Sequence, residues 1–154
     1  QILHPLLEAW EAESVREVIY LPRDGSLAYA RTLRRRLQEN QIVCSAADGR
    51  WGEKAVPVPF LGGTREFSTG MVSLSRLTGA PLIPLFCWRE EKTCFRVKAF
   101  APLTHPPRTD REEATRRTLA EFARIFEDCV RSHPDQYHKW QDSGGSTGPA
   151  SRKR

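Results

Sequence analysis

The sequence predicts an α/β fold: a mostly parallel sheet flanked by helices, with a C-terminal β-hairpin and a long helix. Three observations carry that expectation. Residues 42–47 (IVCSAA) and 81–88 (PLIPLFCW) are apolar runs of the kind that fill strands buried on both faces. Between them lies a glycine-punctuated stretch with one isolated acid, Asp48, directly after the first run. Finally, a short strand at 18–21, a helix at 26–40 and the 42–47 strand follow one another at the spacing of a βαβ unit. Such crossovers are nearly always right-handed.

Each element has its own warrant. Leu3, Leu6, Leu7 and Trp10 recur at helical spacing, so residues 1–15 predict a helix. Pro22, Arg23, Asp24 and Gly25 supply turn chemistry after the 18–21 strand. Leu27, Ala30, Leu33 and Leu37 form one apolar stripe of the next helix, which ends at Asn40 or Gln41. A loop after Asp48 leads to a short extended piece, 56–60, and then a second glycine loop, 61–70. Met71, Val72, Leu74 and Leu77 predict a helix closed by Gly79 as its C′ residue. The 81–88 strand turns at Arg89, Glu90, Glu91 and Lys92, and residues 93–100 return as the second arm of a hairpin. Thr109-Asp110-Arg111-Glu112 has the spacing of a capping box. The helix it opens buries Leu119, Phe122, Ile125, Phe126, Cys129 and Val130 and stops near His133-Pro134. One domain over residues 1–140 is expected, with 141–154 a disordered basic tail.

Composition sets limits. No run reaches the ~18–20 apolar residues of a membrane-spanning helix. The chain opens on Gln1 rather than Met, which reads as truncation of a longer protein. The net charge of +5 is concentrated in Arg31, Arg34, Arg35, Arg36 and the tail, favouring anionic partners without choosing among them. A solvated helix face and a mobile tail explain those clusters equally well. Cys44, Cys87, Cys94 and Cys129 form no CxxC pair and no metal-like spacing with histidine. They predict buried, reduced thiols, with a Cys87–Cys94 bridge the lesser alternative, and no metal or other cofactor.

Ligands of open α/β sheets bind beyond the carboxyl ends of strands, and two loops qualify. In Asp48-Gly49-Arg50 a carboxylate can orient an arginine or a substrate hydroxyl, and glycines let backbone N–H groups approach an oxyanion. Asp48 and Gly49 also suit a plain turn. In the stretch from Gly62 to Gly70, Thr64, Arg65, Ser68, Thr69 and a helix N-terminus offer donors, although Ser68 or Thr69 would serve equally as an ordinary helix cap.

Residues 14–140 resemble the C-terminal half of the bacterial lipid A biosynthesis (lauroyl/myristoyl) acyltransferase family, within the lysophospholipid acyltransferase superfamily. The resemblance rests on an ordered set. It comprises the basic stretch 31–37, the 42–47 run, Asp48, Val58-Pro59-Phe60-Leu61-Gly62, Thr69-Gly70, Thr78-Gly79-Ala80-Pro81, Pro84-Leu85-Phe86 and Pro134-Asp135-Gln136-Tyr137. It implies transfer of a fatty acyl group from acyl carrier protein or acyl-CoA to a lipid hydroxyl. It also implies a peripheral place on the cytoplasmic face of the inner membrane, anchored by a missing N-terminal part, with no nucleic acid partner. The family's H-x4-[DE] base would lie upstream of Gln1. Asp48, Gly49 and Arg50 take the place of the superfamily's Glu-Gly-Thr-Arg block, with Gly62, Thr69 and Gly70 as further substrate-binding positions.

Some strings mislead. Gly63-Thr64-Arg65 falls one segment too late for that block. His105 and Asp110 form a literal H-x4-D, but after the hairpin and across two prolines, and His4 and Glu8 have only three residues between them. Lys139 stands where the family has tryptophan, with Trp140 one later, which leaves subfamily and acceptor open. The rival function is a non-catalytic basic α/β module binding phosphate-bearing ligands or nucleic acid. Against it, Trp51, Trp88 and Phe95 are not interleaved with basic residues as a stacking platform requires.

Overall fold

A computed structural model describes residues 19, 28–47, 54–106 and 110–137. They fall into two compact units divided between Val43 and Cys44.

In the first unit, α1 (Ala28–Gln38) half-buries Ala30, Leu33 and Leu37 and exposes Arg31, Arg34 and Arg35. Its end is a Schellman motif. Asn40 takes the left-handed conformation (φ 59°), its N–H bonds Leu37 O at 3.1 Å, and the Gln41 N–H reaches back to Arg36 O at 3.0 Å. The expected helix is therefore present, stopped by the asparagine. The strand expected at 42–47 is not. Those residues form no ladder, and Ile42 is 90% exposed. An apolar run creates a demand for burial, but strand structure also needs a neighbour's hydrogen bonds. No described strand pairs with this run.

The second unit contains two antiparallel hairpins, and no parallel pairing occurs among the described residues. Strand β1 (Ala55–Phe60) pairs with β2 (Gly63–Ser68) from Ala55↔Ser68 to Phe60↔Gly63. The expected glycine loop at 61–70 is thus mostly strand. Only Leu61 and Gly62 turn, both with positive φ (50° and 78°), as a two-residue type I′ turn requires. Leu61 holds this conformation while packing partly buried against the core. Pro57 and Pro59 lack the N–H that a bonded pair exchanges, so their nitrogens face the edge of β1 that no described strand occupies and blunt it against further strands.

Helix α2 (Gly70–Thr78) closes on Gly79 at φ 74°, whose N–H bonds Ser75 O, as the sequence predicts. Strand β3 (Leu85–Arg89) pairs with β4 (Phe95–Ala99) to give the expected hairpin. Its burial differs from expectation. Phe86 and Trp88 turn inward, whereas Leu85, Cys87, Phe95 and Val97 face out, because the described residues cover only one face of the pair. Helix α3 (Arg111–Ser132) provides that cover. Asp110, one residue later than a capping box would place it, caps α3 by accepting from Glu112 N at 3.0 Å and Glu113 N at 3.4 Å.

The core is aromatic. Phe60 meets Phe126 at 5.0 Å between centroids, Phe67 meets Phe122 edge-on at 5.7 Å, and Phe86 meets Phe126 at 5.3 Å. Val58, Val72, Leu103, Leu119 and Val130 fill the space around them. Such ring pairs contribute about 0.5–1.5 kcal/mol each beyond their area burial. All four cysteines are free. Cys44, Cys87 and Cys94 are exposed and only Cys129 is half-buried, so the expected burial of the thiols does not occur. Three of them sit on segments whose second face has no described cover. The elements expected at 1–15 and 18–21 and the tail at 141–154 lie outside the described residues, apart from Ile19.

Candidate functional site

Strand β2 decides how the sequence-derived binding positions relate. Gly62 sits in the turn before it, and Thr69 and Gly70 begin α2 after it. Six extended residues separate them by roughly 20 Å, so they do not share one pocket edge. Asp48, Gly49 and Arg50 lie outside the described residues.

The start of α2 is the more useful end. Thr69 is helical in φ and ψ (−86°, −5°), and no side chain caps the helix. Its hydroxyl instead bonds Lys54 O at 3.4 Å, while its N–H bonds the same oxygen at 3.1 Å. The Ser68 hydroxyl approaches Gly70 N at 3.5 Å. The Thr69 and Gly70 N–H groups are therefore both engaged locally, by Lys54 O and the Ser68 hydroxyl, and no carboxylate stands in the first turn at the positive end of the helix dipole.

Arg65 is not one of the donors there. Its alternation with Phe67 along β2 turns it inward, and it is 8% exposed. The guanidinium carbon lies 5.4 Å from the Phe60 ring centroid, 5.8 Å from Phe67 and 5.9 Å from Tyr137, and Nη1 donates to the Tyr137 hydroxyl. Desolvated cation–π contacts of this kind reach about 2 kcal/mol. The Gly63-Thr64-Arg65 string thus supplies a structural cation.

His105 and Asp110 also have separate duties. Asp110 caps α3, whereas the His105 ring lies between α2 and α3. His105 Nε2 is 2.8 Å from Ser75 Oγ, and Nδ1 is 3.4 Å from Thr118 Oγ1. Ser75 Oγ donates to Ala80 O at 2.6 Å, which uses its proton and leaves Nε2–H as the donor to Ser75. Thr118 Oγ1 lies 2.9 Å from Thr104 O and 3.0 Å from Ala114 O. Glu121 accepts from both the N–H and the hydroxyl of Thr104. Burial, reinforced by the Arg76 charge and opposed by Glu121, holds the His105 pKa below its ordinary value. The cluster joins two helices through a neutral imidazole. Ser75, at 4% exposure with its proton committed to a carbonyl, is not presented as a nucleophile. Spacing alone could not reveal Ser75 and Thr118 as partners of His105. The only signal was the presence of threonines 115 and 118 on the apolar stripe of α3.

The remaining described histidine is engaged too. His133 stacks on Trp88 with centroids 4.6 Å apart, and its Nδ1 lies 3.4 Å from Cys129 O. Just beyond it, Pro134 opens a single 3₁₀ turn. Gln136 Oε1 accepts from Arg89 N at 2.7 Å and Nε2 donates to Arg89 O at 2.8 Å, in the manner of a neighbouring strand. Tyr137 then enters the core to meet Arg65. Among the described residues, no group of three or more His, Cys, Asp or Glu side chains could hold a metal ion.

The profile of the bacterial lipid A biosynthesis acyltransferase family matches residues 16–142. The chain belongs to that family. No curated protein matches this sequence. In this lipid A acyltransferase-family chain, the family-like segments occupy distinct structural stations. Val58-Pro59-Phe60-Leu61-Gly62 is β1 and its turn, and Thr69-Gly70 is the start of α2. Thr78-Gly79-Ala80-Pro81 is the exit from that helix, and Pro134-Asp135-Gln136-Tyr137 is the clasp between α3 and the hairpins.

Proposed function

We propose that this chain is the C-terminal part of an acyltransferase that moves a fatty acyl group from an acyl thioester to a hydroxyl of a lipid acceptor, such as a lipid A precursor or a lysolipid. The donor is acyl carrier protein or acyl-CoA. The observation that carries this reading is the family match over residues 16–142. In the reaction a base takes the proton of the acceptor hydroxyl, and its oxygen attacks the thioester carbonyl. The tetrahedral intermediate then expels the thiolate, which recovers a proton as the ester forms.

Both described histidines are held by structural partners, which supports a base from an H-x4-[DE] block upstream of Gln1. Asp48, Gly49 and Arg50, with Gly62 and the start of α2 at Thr69–Gly70, are the binding positions we assign to the acceptor or its phosphate. The work site is the cytoplasmic face of the inner membrane, where the acceptor lipid resides.

The test compares this chain with a version extended upstream in its native gene, using acyl-carrier thioester and detergent-dispersed lipid acceptor. Transfer by the extended protein alone, abolished by Asp48→Ala, is the expected result. Transfer by the short chain that His105→Ala abolishes would overturn the assignment of the base.

A further inference from the structure

The β3–β4 hairpin has two unlike faces. Alternation sends Phe86 and Trp88 toward α3 and its end, and sends Leu85, Cys87 and Arg89 the other way. On that outward side their partners are Ala99, Val97 and Phe95. The resulting face is apolar and uncovered among the described residues. Leu85 is 54% exposed, Phe95 62% and Val97 64%, and Ile83 just before β3 is 45% exposed. Large side chains gathered this way mark a contact surface.

Charge indicates what the contact is. Arg89 on the outward face and Lys92 in the turn stand against Glu90 and Glu91, and Glu90 is already bound by Arg96, with Nη2 to Oε2 at 3.0 Å. Arg89 lies over the exposed Phe95 ring at 5.5 Å on the outward side, whereas Arg96 and Lys98, opposite Trp88 and Phe86, stand on the inward side. An aromatic ring with a cation on its flank suits the boundary between acyl chains and anionic headgroups, where the ring enters the hydrocarbon and the cation stays with phosphate. Among the described residues no helix is long and apolar enough to cross a membrane, so contact through them is interfacial.

We propose that the outward face of the β3–β4 hairpin, built from Leu85, Cys87, Val97 and Phe95 and rimmed by Arg89 and Lys92, docks on an anionic lipid surface. The choice of partner rests on the lipid-acceptor function above, and the face itself rests on the exposure, register and charge of the hairpin.

The experiment is partitioning of the full chain onto vesicles of 30 mol% phosphatidylglycerol in phosphatidylcholine, followed by co-sedimentation. The expected result is binding that weakens with added salt and falls at least about tenfold in Phe95→Gln and in Val97→Gln, each of which removes apolar contact without changing charge. Arg124→Gln on the exposed side of α3 should leave binding within about twofold, as removal of one remote charge predicts. Circular dichroism and thermal melting establish that each variant is folded. Absence of binding, or equal losses in all three variants, overturns the proposal. Self-association that Phe95→Gln abolishes would show a second copy on the face and overturn it as well. Because transfer by the upstream-extended protein is assayed in detergent, transfer by that protein with no vesicle binding refutes the docking face alone. Vesicle binding with no transfer by the extended protein refutes the activity alone.

Discussion

The buried contact between Arg65 and Tyr137 allows a quantitative test of whether this arginine serves the fold or a ligand. Tyr137→Phe removes the hydroxyl that accepts from Nη1 and keeps the ring that packs on Phe60 and Phe126. A hydrogen bond involving a charged group contributes about 1.5–3 kcal/mol, so the single variant should lose an amount in that range. Arg65→Met keeps an unbranched apolar stem among the three rings and removes the charge. It forfeits the cation–π contacts, but it also escapes the cost of desolvating a guanidinium, so its net loss should be smaller than the sum of the contacts. The double variant should then cost less than the two singles together, with a coupling of about 1.5–3 kcal/mol. Urea denaturation followed by tryptophan fluorescence gives the three differences, provided the slope with denaturant is unchanged. Additivity within about 0.5 kcal/mol would refute the idea that the guanidinium is held by Tyr137. Unchanged stability in Arg65→Met with a raised KM for the lipid acceptor would instead assign the arginine to substrate.

Two further predictions follow from side chains whose partners are explicit. Asp110→Ala removes the acceptor of the Glu112 and Glu113 N–H groups and should cost about 1 kcal/mol, read as a melting temperature lower by roughly 2–5 °C. Asp110→Asn should recover most of that loss. The depressed pKa of His105 sets a pH dependence. The unfolded chain, with an ordinary histidine, takes up the proton more readily than the folded one. Stability is therefore fully present above the usual histidine range and is lost as pH falls through it. His105→Gln should flatten this part of the stability-versus-pH curve, and a slope that persists in the variant would assign the titration to another group.

Much of the local structure was legible because its signals are local. The stripe of α1, the glycine after α2, the polar turn at 89–92 and the apolar face of α3 each depend on residues within one or two turns of chain. What failed depends on distant partners. Residues 42–47 have strand composition but find no described neighbour, so composition did not become structure. In 61–70 the three glycines suggested a loop, although Arg65 and Phe67 alternate with Thr64 and Glu66 as a strand does. The charge on Arg65 concealed that period, and only the three rings around it explain why it can point inward. The candidate site was legible in the same uneven way. Thr69–Gly70 is at a helix start as expected, while Gly62 is held at the far end of β2.

The family-like Pro134-Asp135-Gln136-Tyr137 segment shows how a motif can matter without touching substrate. Pro134 forces the chain out of α3 into one tight turn. Two residues later Gln136 takes the place of a strand on the Arg89 edge of β3, and Tyr137 fastens Arg65 in the middle of β2. The end of one helix is thereby fixed to both hairpins within four residues. Arg65 stands only four residues before Thr69, on a strand that leads directly into α2. The position of the α2 start at Thr69–Gly70 is therefore set in part by Tyr137, through the strand that joins Arg65 to it. A change in this clasp should disturb the proposed acceptor site by moving its scaffold, even though no atom of the clasp belongs to that site.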